Sequence, residues 1–252
     1  VVLNALIQRN LPITALITTR GFRDVLEIMR TNNPYMYDMQ YVKPKALIPR
    51  RLRFEVTERI RHTGEVLTEL DEQSVRTAAS RLKDANATAV AVCLLHAYAD
   101  GAHERRVREI ILEECPDIVV CLSSEVAGEL REFERTSTTS INAATVPIIT
   151  SYLDLLSSEL RNMGLVRDLC VMQSNGGVIT AKVARNLPVR TVMSGPSGGV
   201  VGGSYLAGAI GIDHALTVDM GGTSTDIGVI ADGRALTVDE AEVDRWPILA
   251  PM

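Results

Sequence analysis

The 252-residue chain carries 26 lysines and arginines against 31 aspartates and glutamates, a net charge of −5. That balance argues against nucleic acid as a partner, because binding a phosphate backbone is mostly Lys/Arg work, and an aromatic content of 4% leaves few platforms for stacking bases. The 46% of hydrophobic residues suffices for a core in one large or two ordinary domains. Cys93, Cys115, Cys121 and Cys170 include no C-x-x-C pair, and three lie in apolar strand-like runs, which reads as reduced core thiols of a cytoplasmic protein.

In chain order, a helix is expected near residues 22–30, followed by a loop punctuated by Pro34, Pro44 and Pro49, a strand over 51–57 and a turn at Gly64. Asp71 is placed to cap a helix running to about Asp84. Residues 87–95 are a continuous apolar run of strand length, 103–114 a charged amphipathic helix and 117–122 another strand, together a β-α-β unit. After Arg135 the composition shifts to Ser, Thr and small residues. A domain boundary is expected there, dividing the chain into 1–135 and 136–252. Pro147, favoured in a first turn, should open a helix that Gly164 ends. A strand over 168–172 then delivers Ser174-Asn175-Gly176-Gly177 to a loop, a polar cluster at a strand end, where α/β folds place ligands.

The short apolar segment VRTVM (189–193) reads as a strand leading into MSGPSGGVVGGSYLAGAIGI (193–212). Residues 191–212 carry no charge and are long enough to cross a bilayer. The stretch also contains seven glycines, and Gly195-Pro196 at its start would free several backbone groups that need internal partners in lipid, so a close-packed soluble helix is expected and no membrane span. Glycine costs roughly 1 kcal/mol of helix propensity against alanine, and something must offset it. Gly199, Gly203 and Ala207 fall at i, i+4 and i+8, a bare stripe along which another backbone can approach.

The run VDMGGTSTDIGV (218–229) reads as a strand, a glycine-rich phosphate loop and a returning strand, with Asp232-Gly233 as the next hairpin turn. Gly221 and Gly222 let the backbone turn with N–H groups facing a phosphate, and Thr223 and Thr225 add hydroxyl donors. Asp219 would repel a phosphate. Its economical role, shared with Asp226, is to hold Mg²⁺ or its waters beside the phosphates of a nucleotide such as ATP. A plain hairpin with a Gly-Gly turn is the blander alternative.

A small-residue helix just upstream of a D-x-G-G-T hairpin resembles the crossing helix and second phosphate motif of the actin, heat-shock ATPase and sugar-kinase superfamily. The segments TTRGFRDVLEIMR (18–30), TERI (57–60), AVCLLHAY (91–98) with His103-Glu104, REFERTSTTSINA (131–143), MQSNGG (172–177), SGPSGGVVGG (194–203) and DMGGTSTD (219–226) together resemble the hydantoinase A and 5-oxoprolinase family, over nearly the whole chain. The resemblance implies an α/β chain with a partial actin-like ATPase (ribonuclease H-like) fold. It implies ATP and Mg²⁺ as cofactors and phosphorylation of a lactam or imide carbonyl, as in 5-oxoproline or a hydantoin, before ring opening. It also implies an oligomer with a hydantoinase B-type subunit or a fused second half. Relatives that carboxylate acetone or acetophenone use the same logic. The family carries a further phosphate motif upstream and a glycine-rich nucleotide motif downstream, so a chain running from Val1 to Met252 is expected to be an internal fragment.

Other constellations compete. Gly195-Pro196-Ser197-Gly198-Gly199 satisfies the G-x-S-x-G nucleophile elbow of serine hydrolases, but His214 is the one histidine downstream of Ser197. A non-catalytic actin-like ATP-binding module is a third reading. His96 and His103-Glu104 fit no metal-ligand spacing and read as strand-end and helix-start residues. The charge run Arg131, Glu132, Glu134, Arg135 is either a solvated face or an interdomain or active-site contact.

Overall fold

The computed structural model describes residues 1–31, 37–221 and 225–252. They divide into two compact units, one of Ala5–Ile148 with Glu242–Leu249, the other of Val1–Asn4, Ile149–Ala241 and Ala250–Met252.

After the short helix α1 (Val2–Ile7) comes β1 (Thr14–Thr19), then α2 (Val25–Ile28), β2 (Arg53–Val56), the hairpin β3 (Arg59–Ile60) and β4 (Val66–Thr68), α3 (Glu72–Asp84), β5 (Ala89–Cys93), α4 (Ala102–Glu114), β6 (Val119–Leu122) and α5 (Ser123–Val126). Four strands make one parallel sheet in the order β2-β1-β5-β6, with Leu16 opposite both Arg53 and Ala91, and Ala91 opposite Cys121. Every residue of β1 and β5 is buried, as expected of central strands in a parallel sheet covered on both faces. Helices α3 and α4 bury Val75, Ala78, Ala79, Leu82, Val107, Ile110 and Ile111, so the expected β-α-β unit over 87–122 is formed.

Local signals placed several of these elements. The Asp71 carboxylate accepts the Gln73 N–H at 3.1 Å and caps α3. Asp71→Ala should therefore cost about 1 kcal/mol, read as a lower midpoint in urea denaturation of the full-length protein. Gly64, at φ +87°, turns the β3–β4 hairpin, its N–H donating to Arg61 O at 2.9 Å. The helix expected over 22–30 shrinks to the four residues of α2. Asp24 and Glu27 are held by Arg50 and Arg53 from beyond the loop, and the backbone leaves helical geometry at Met29 (φ +57°), so tertiary ion pairs set this segment's course.

Helix α6 (Glu132–Asn162) is 31 residues long and begins fifteen residues before the start expected at Pro147, which lies inside it. The Ser/Thr run enters a helix because its hydroxyls bond the helix's own carbonyls: Thr138 to Glu134 O at 2.7 Å, Thr139 to Arg135 O at 2.8 Å, Thr145 to Ile141 O at 2.7 Å. Thr136 to Ser140, Asn142 and Thr145 are all buried, the Ser137 and Ser140 hydroxyls without a hydrogen-bond partner among the described residues. Gly164, at φ +98°, stops the helix as expected.

In the other unit, β7 (Cys170–Met172) and β8 (Val178–Thr180) form an antiparallel hairpin, followed by α7 (Ala181–Asn186), capped by Thr180. The strand expected at 189–193 is instead a 3₁₀ turn, Pro188–Thr191. Pro188 pre-sets the helical φ, and the Thr191 hydroxyl closes the turn on Pro188 O at 2.8 Å. Then follow α8 (Ser194–Ala209) and an antiparallel sheet of β9 (Ala215–Met220), β10 (Thr225–Ala231) and β11 (Arg234–Ala235) in the order β11-β10-β9. Asp232 and Gly233, at φ +50° and +71°, form the expected two-residue turn between β10 and β11. The last strands, β12 (Ala241–Val243) and β13 (Trp246–Ile248), pair with each other, and Glu242–Leu249 belong to the sheet-bearing unit. Trp246 meets the Phe133 ring at 5.9 Å, and the Leu249 N–H donates to the Thr138 hydroxyl at 2.9 Å. Among the described residues no helix is long and apolar enough to cross a membrane.

Candidate functional site

The β9–β10 ladder sets Asp219 directly opposite Asp226, with Thr217 opposite Gly228 and Ala215 opposite Ile230. Side chains alternate along a strand, so these six residues share one face, and α8 packs on it. A Cβ at Gly203 would overlap the Thr217 methyl and come within 3.8 Å of Ile230 Cδ1; one at Gly228 would overlap the Val200 side chain and approach Thr217 Oγ1 to 2.5 Å. The expected bare stripe is therefore real at Gly203 and at the buried Ala207. At Gly199 it fails, since that residue is exposed with nothing near it: the helix face turns outward there. The contacts step from Ile230 at Gly203 to Gly228 at Val200, so the Asp219–Asp226 pair, next along the face, lies toward the start of α8.

Asp219 is exposed and Asp226 half-buried. Opposed residues of an antiparallel pair hold their Cβ atoms roughly 5 Å apart, and two carboxylates so placed repel unless a cation lies between them. Gly221, exposed, directly follows β9, and Thr225, exposed, opens β10. Gly222 and Thr223, expected to hold phosphate, lie outside the described residues. Among the described residues no cluster of three or more His, Cys, Asp or Glu could hold a metal. The hard-oxygen pair nevertheless fits a Mg²⁺ that takes its other ligands from phosphate and water.

The Ser174-Asn175-Gly176-Gly177 cluster forms the tight turn between β7 and β8, packed on the first half of α8. Ser174 is buried; its hydroxyl accepts the Met193 N–H at 3.0 Å and its own N–H donates to Arg190 O at 2.7 Å. Asn175 Oδ1 accepts the Gly177 N–H at 2.9 Å. Gly176 adopts φ +81°, and a Cβ there would stand 2.7 Å from Val201. The turn and the hairpin bearing Asp219 are thus both anchored on α8, Ser174 through hydrogen bonds that position the helix.

No nucleophile elbow forms at Ser197. That residue sits within the first turn of α8 after a 3₁₀ turn, not at the end of a strand, and its hydroxyl donates to Ser174 O. His214 faces Asp232 at 3.6 Å, near the segment where Ser204 bonds Gly233 O. Seven residues of helix separate Ser204 from Ser197, roughly 10 Å.

In the sheet-bearing unit the carboxyl ends of β1, β2 and β5 carry a buried polar network. The Thr19 hydroxyl donates to Glu58 Oε1 and accepts the Leu95 N–H at 2.9 Å, while Glu58 Oε2 meets His103 Nδ1 at 2.9 Å. Glu104, fully buried, accepts the Leu94 N–H at 3.0 Å, the Ser124 N–H at 2.9 Å and the Ser123 hydroxyl at 2.6 Å; burial raises its pKa while these bonds pull the other way. His103 opens α4 as expected. His96 follows β5 at φ +57° beside the Tyr98 hydroxyl, and burial lowers its pKa. The network joins segments whose link the sequence does not show, because Glu58 lies 39 residues from Thr19 and 45 from His103.

The run 131–135 is no solvated face throughout, because Glu134 and Arg135 are buried. Glu134 pairs with Arg30; Arg135 bonds Leu94 O at 2.9 Å and lies 5.5 Å from the Tyr98 ring centroid. Burial pushes the Cys93 thiol up to about 12 and Cys121 to about 11, which keeps both unreactive. Cys170 departs from expectation and is exposed on β7, whose neighbours leave it uncovered.

Residues 1–115 match the hydantoinase/oxoprolinase N-terminal region, and residues 135–252 match hydantoinase/oxoprolinase. The alpha subunit of a caprolactamase from Pseudomonas jessenii is 33% identical over 254 residues, covering 100% of this chain and 36% of the relative. The crystal structure of the ATP-dependent caprolactamase from that organism superposes with a TM-score of 0.90 at 33% identity, over 100% of this chain and 37% of that one. A nucleotide-free acetone carboxylase structure, from work on ATP-dependent acetone carboxylation, gives 0.89 at 32% identity, over 100% and 37%. The chain spans between 20% and 36% of the length of the curated relatives it matches. Its mixed α/β architecture with a parallel sheet is consistent with the actin-like ATPase fold.

Proposed function

This chain belongs to the hydantoinase/oxoprolinase family, and from that premise we propose that it forms part of an ATP-dependent enzyme that phosphorylates and opens a cyclic amide. The observation that carries the reading is the facing pair Asp219 and Asp226 beside Gly221, on the hairpin face that α8 covers. ATP with Mg²⁺, when bound, would phosphorylate the amide oxygen and so make its carbon electrophilic enough for water to add, after which the ring C–N bond breaks with the nitrogen leaving as an amine and a second water releases phosphate from the acyl phosphate. The chain's own part is positioning and charge: Asp219 and Asp226 hold the metal, Gly221 with Gly222 and Thr223 presents backbone N–H and hydroxyl donors to phosphate, and Thr225 adds a second hydroxyl. The Ser174 to Gly177 turn steadies the start of α8 behind them. A partner subunit or fused half of hydantoinase B type completes the chemistry in this reading.

Ketone carboxylation is the second reading, favoured by the likeness to acetone carboxylase. ATP turnover by the full-length protein with its partner, measured with and without 5-oxoproline, caprolactam, hydantoin and ketones, separates the two. Stimulation by ketones with bicarbonate and not by cyclic amides would overturn the amide reading. Ser197→Ala is expected to lose one hydrogen bond, about 0.5–1.5 kcal/mol of stability, and to keep its turnover. A loss on the order of 10³-fold would instead mark Ser197 as a nucleophile.

A further inference from the structure

At the amino end of β1 the sheet-bearing unit holds a cavity of about 800 Å³, where the segments leading into β1 and β2 meet the last turn of α3. The volume lies in the range of small-molecule sites. Leu11, Pro12, Leu47, Leu52 and Phe54 give it apolar walls, and Arg9, Lys45, Arg51, Arg81 and Asp84 supply its charge. Open α/β sheets bind their usual ligands beyond the carboxyl ends of the strands. β1 runs from Thr14 to Thr19, which puts that edge about 16 Å away at roughly 3.3 Å per residue. None of the lining residues belongs to the unit that carries Asp219.

Its cations set this cavity apart from a packing gap. Their chain neighbours Arg50, Arg53 and Lys83 pair with Asp24, Glu27 and Glu114. Lys45, Arg51 and Arg81 are exposed, and among the described residues their charged groups have no ion-pair partner. Asp84, the one acid of the lining among those residues, pairs with none of them. Arg9 is compensated by Asp244 at 2.6 Å and donates to Lys45 O at 2.9 Å, which ties the Lys45 segment to the wall. Three uncompensated cations from three separate segments thus line one cavity, in a chain whose net charge is −5. Gathered like charges repel, and an anion between them relieves the repulsion; guanidinium groups take carboxylate and phosphate oxygens in a matched fork. The walls are aliphatic apart from Phe54, which is buried, so no open ring face is offered for stacking a base. We propose that this cavity binds a small aliphatic oxyanion carrying two or more negative charges on carboxylate or phosphate groups. The site stands independently of the amide reading above.

Calorimetry on the full-length protein with its partner tests it, with pimelate, hexyl phosphate, heptanoate and inorganic phosphate as probes. Pimelate and hexyl phosphate join a double charge to an aliphatic body; heptanoate lacks the second charge and inorganic phosphate lacks the body. The variants Arg51→Gln and Arg81→Gln each remove an exposed charge that holds no partner, so folding is undisturbed. Arg61→Gln, in the turn of the β3–β4 hairpin and outside the cavity, is the control. Expected is binding of pimelate or hexyl phosphate about tenfold tighter than of either incomplete probe, weakened about tenfold by each cavity variant, the usual loss with a charge-assisted hydrogen bond. Arg61→Gln should leave that affinity unchanged, and all three variants should bind ATP as the wild type does. The tighter of the two complete probes assigns the anion as a carboxylate or a phosphate. Inorganic phosphate binding as tightly as both would overturn the proposal, marking a bare cluster of surface charge. Absence of binding, an equal loss in Arg61→Gln, or unaltered affinity in both cavity variants also overturns it.

Discussion

Asp219→Asn in the full-length protein should lower metal-dependent ATP turnover by on the order of 10²-fold or more and leave the fold intact. Asp219 is exposed, so its charge holds no core element in place, and it stands opposite Asp226 on one face of the hairpin. Like charges directly opposite in an antiparallel pair destabilise it by roughly 0.2–1 kcal/mol. The substitution should therefore raise the stability of metal-free protein slightly while removing a ligand charge that compensates phosphate repulsion. The two signs are opposite, which separates a binding role from a structural one. Turnover at the wild-type level, or a loss of stability comparable with the loss of activity, would sink the role assigned to Asp219.

Gly203→Leu should destabilise the full-length protein by about 1–3 kcal/mol, the usual cost of overpacking, and weaken ATP binding as well. Even a Cβ at this position overlaps the Thr217 methyl, so α8 must shift off the ladder that carries Asp219 two residues further along β9. Two glycines of the same helix serve as controls. A Cβ at Gly199 or Gly208 meets nothing within 4 Å, so Gly199→Ala and Gly208→Ala should each stabilise by up to about 1 kcal/mol through helix propensity. Thermal unfolding and nucleotide titration of the three variants read both effects. Unchanged stability and ATP affinity in Gly203→Leu would mean that α8 does not pack against the hairpin.

Where a signal acts over a few neighbouring residues, the sequence alone determined the structure. Asp71 caps α3, Gly64, Gly164 and Gly233 supply left-handed backbone at turns, and the apolar run over 89–93 becomes the buried β5. Strands β9 and β10 pair in the expected antiparallel ladder, and the strand alternation that puts Asp219 and Asp226 on one face follows from its register. Tertiary structure decided the rest. The Ser/Thr run after Arg135 reads locally as a break; burial inside a long helix, with hydroxyls bonded four residues back, makes it continuous. Gly199 and Gly203 have the same local character, and only the turn of α8 that meets β9 distinguishes the open position from the crowded one. Thr19, Glu58 and His103 are 39 and 45 residues apart along the chain, and the cavity at the amino end of β1 joins Lys45, Arg51 and Arg81. Contacts of that span arise from strand order and helix packing. No periodicity or local propensity encodes them, because the energies that set them are summed only when the sheet and its helices close around the core.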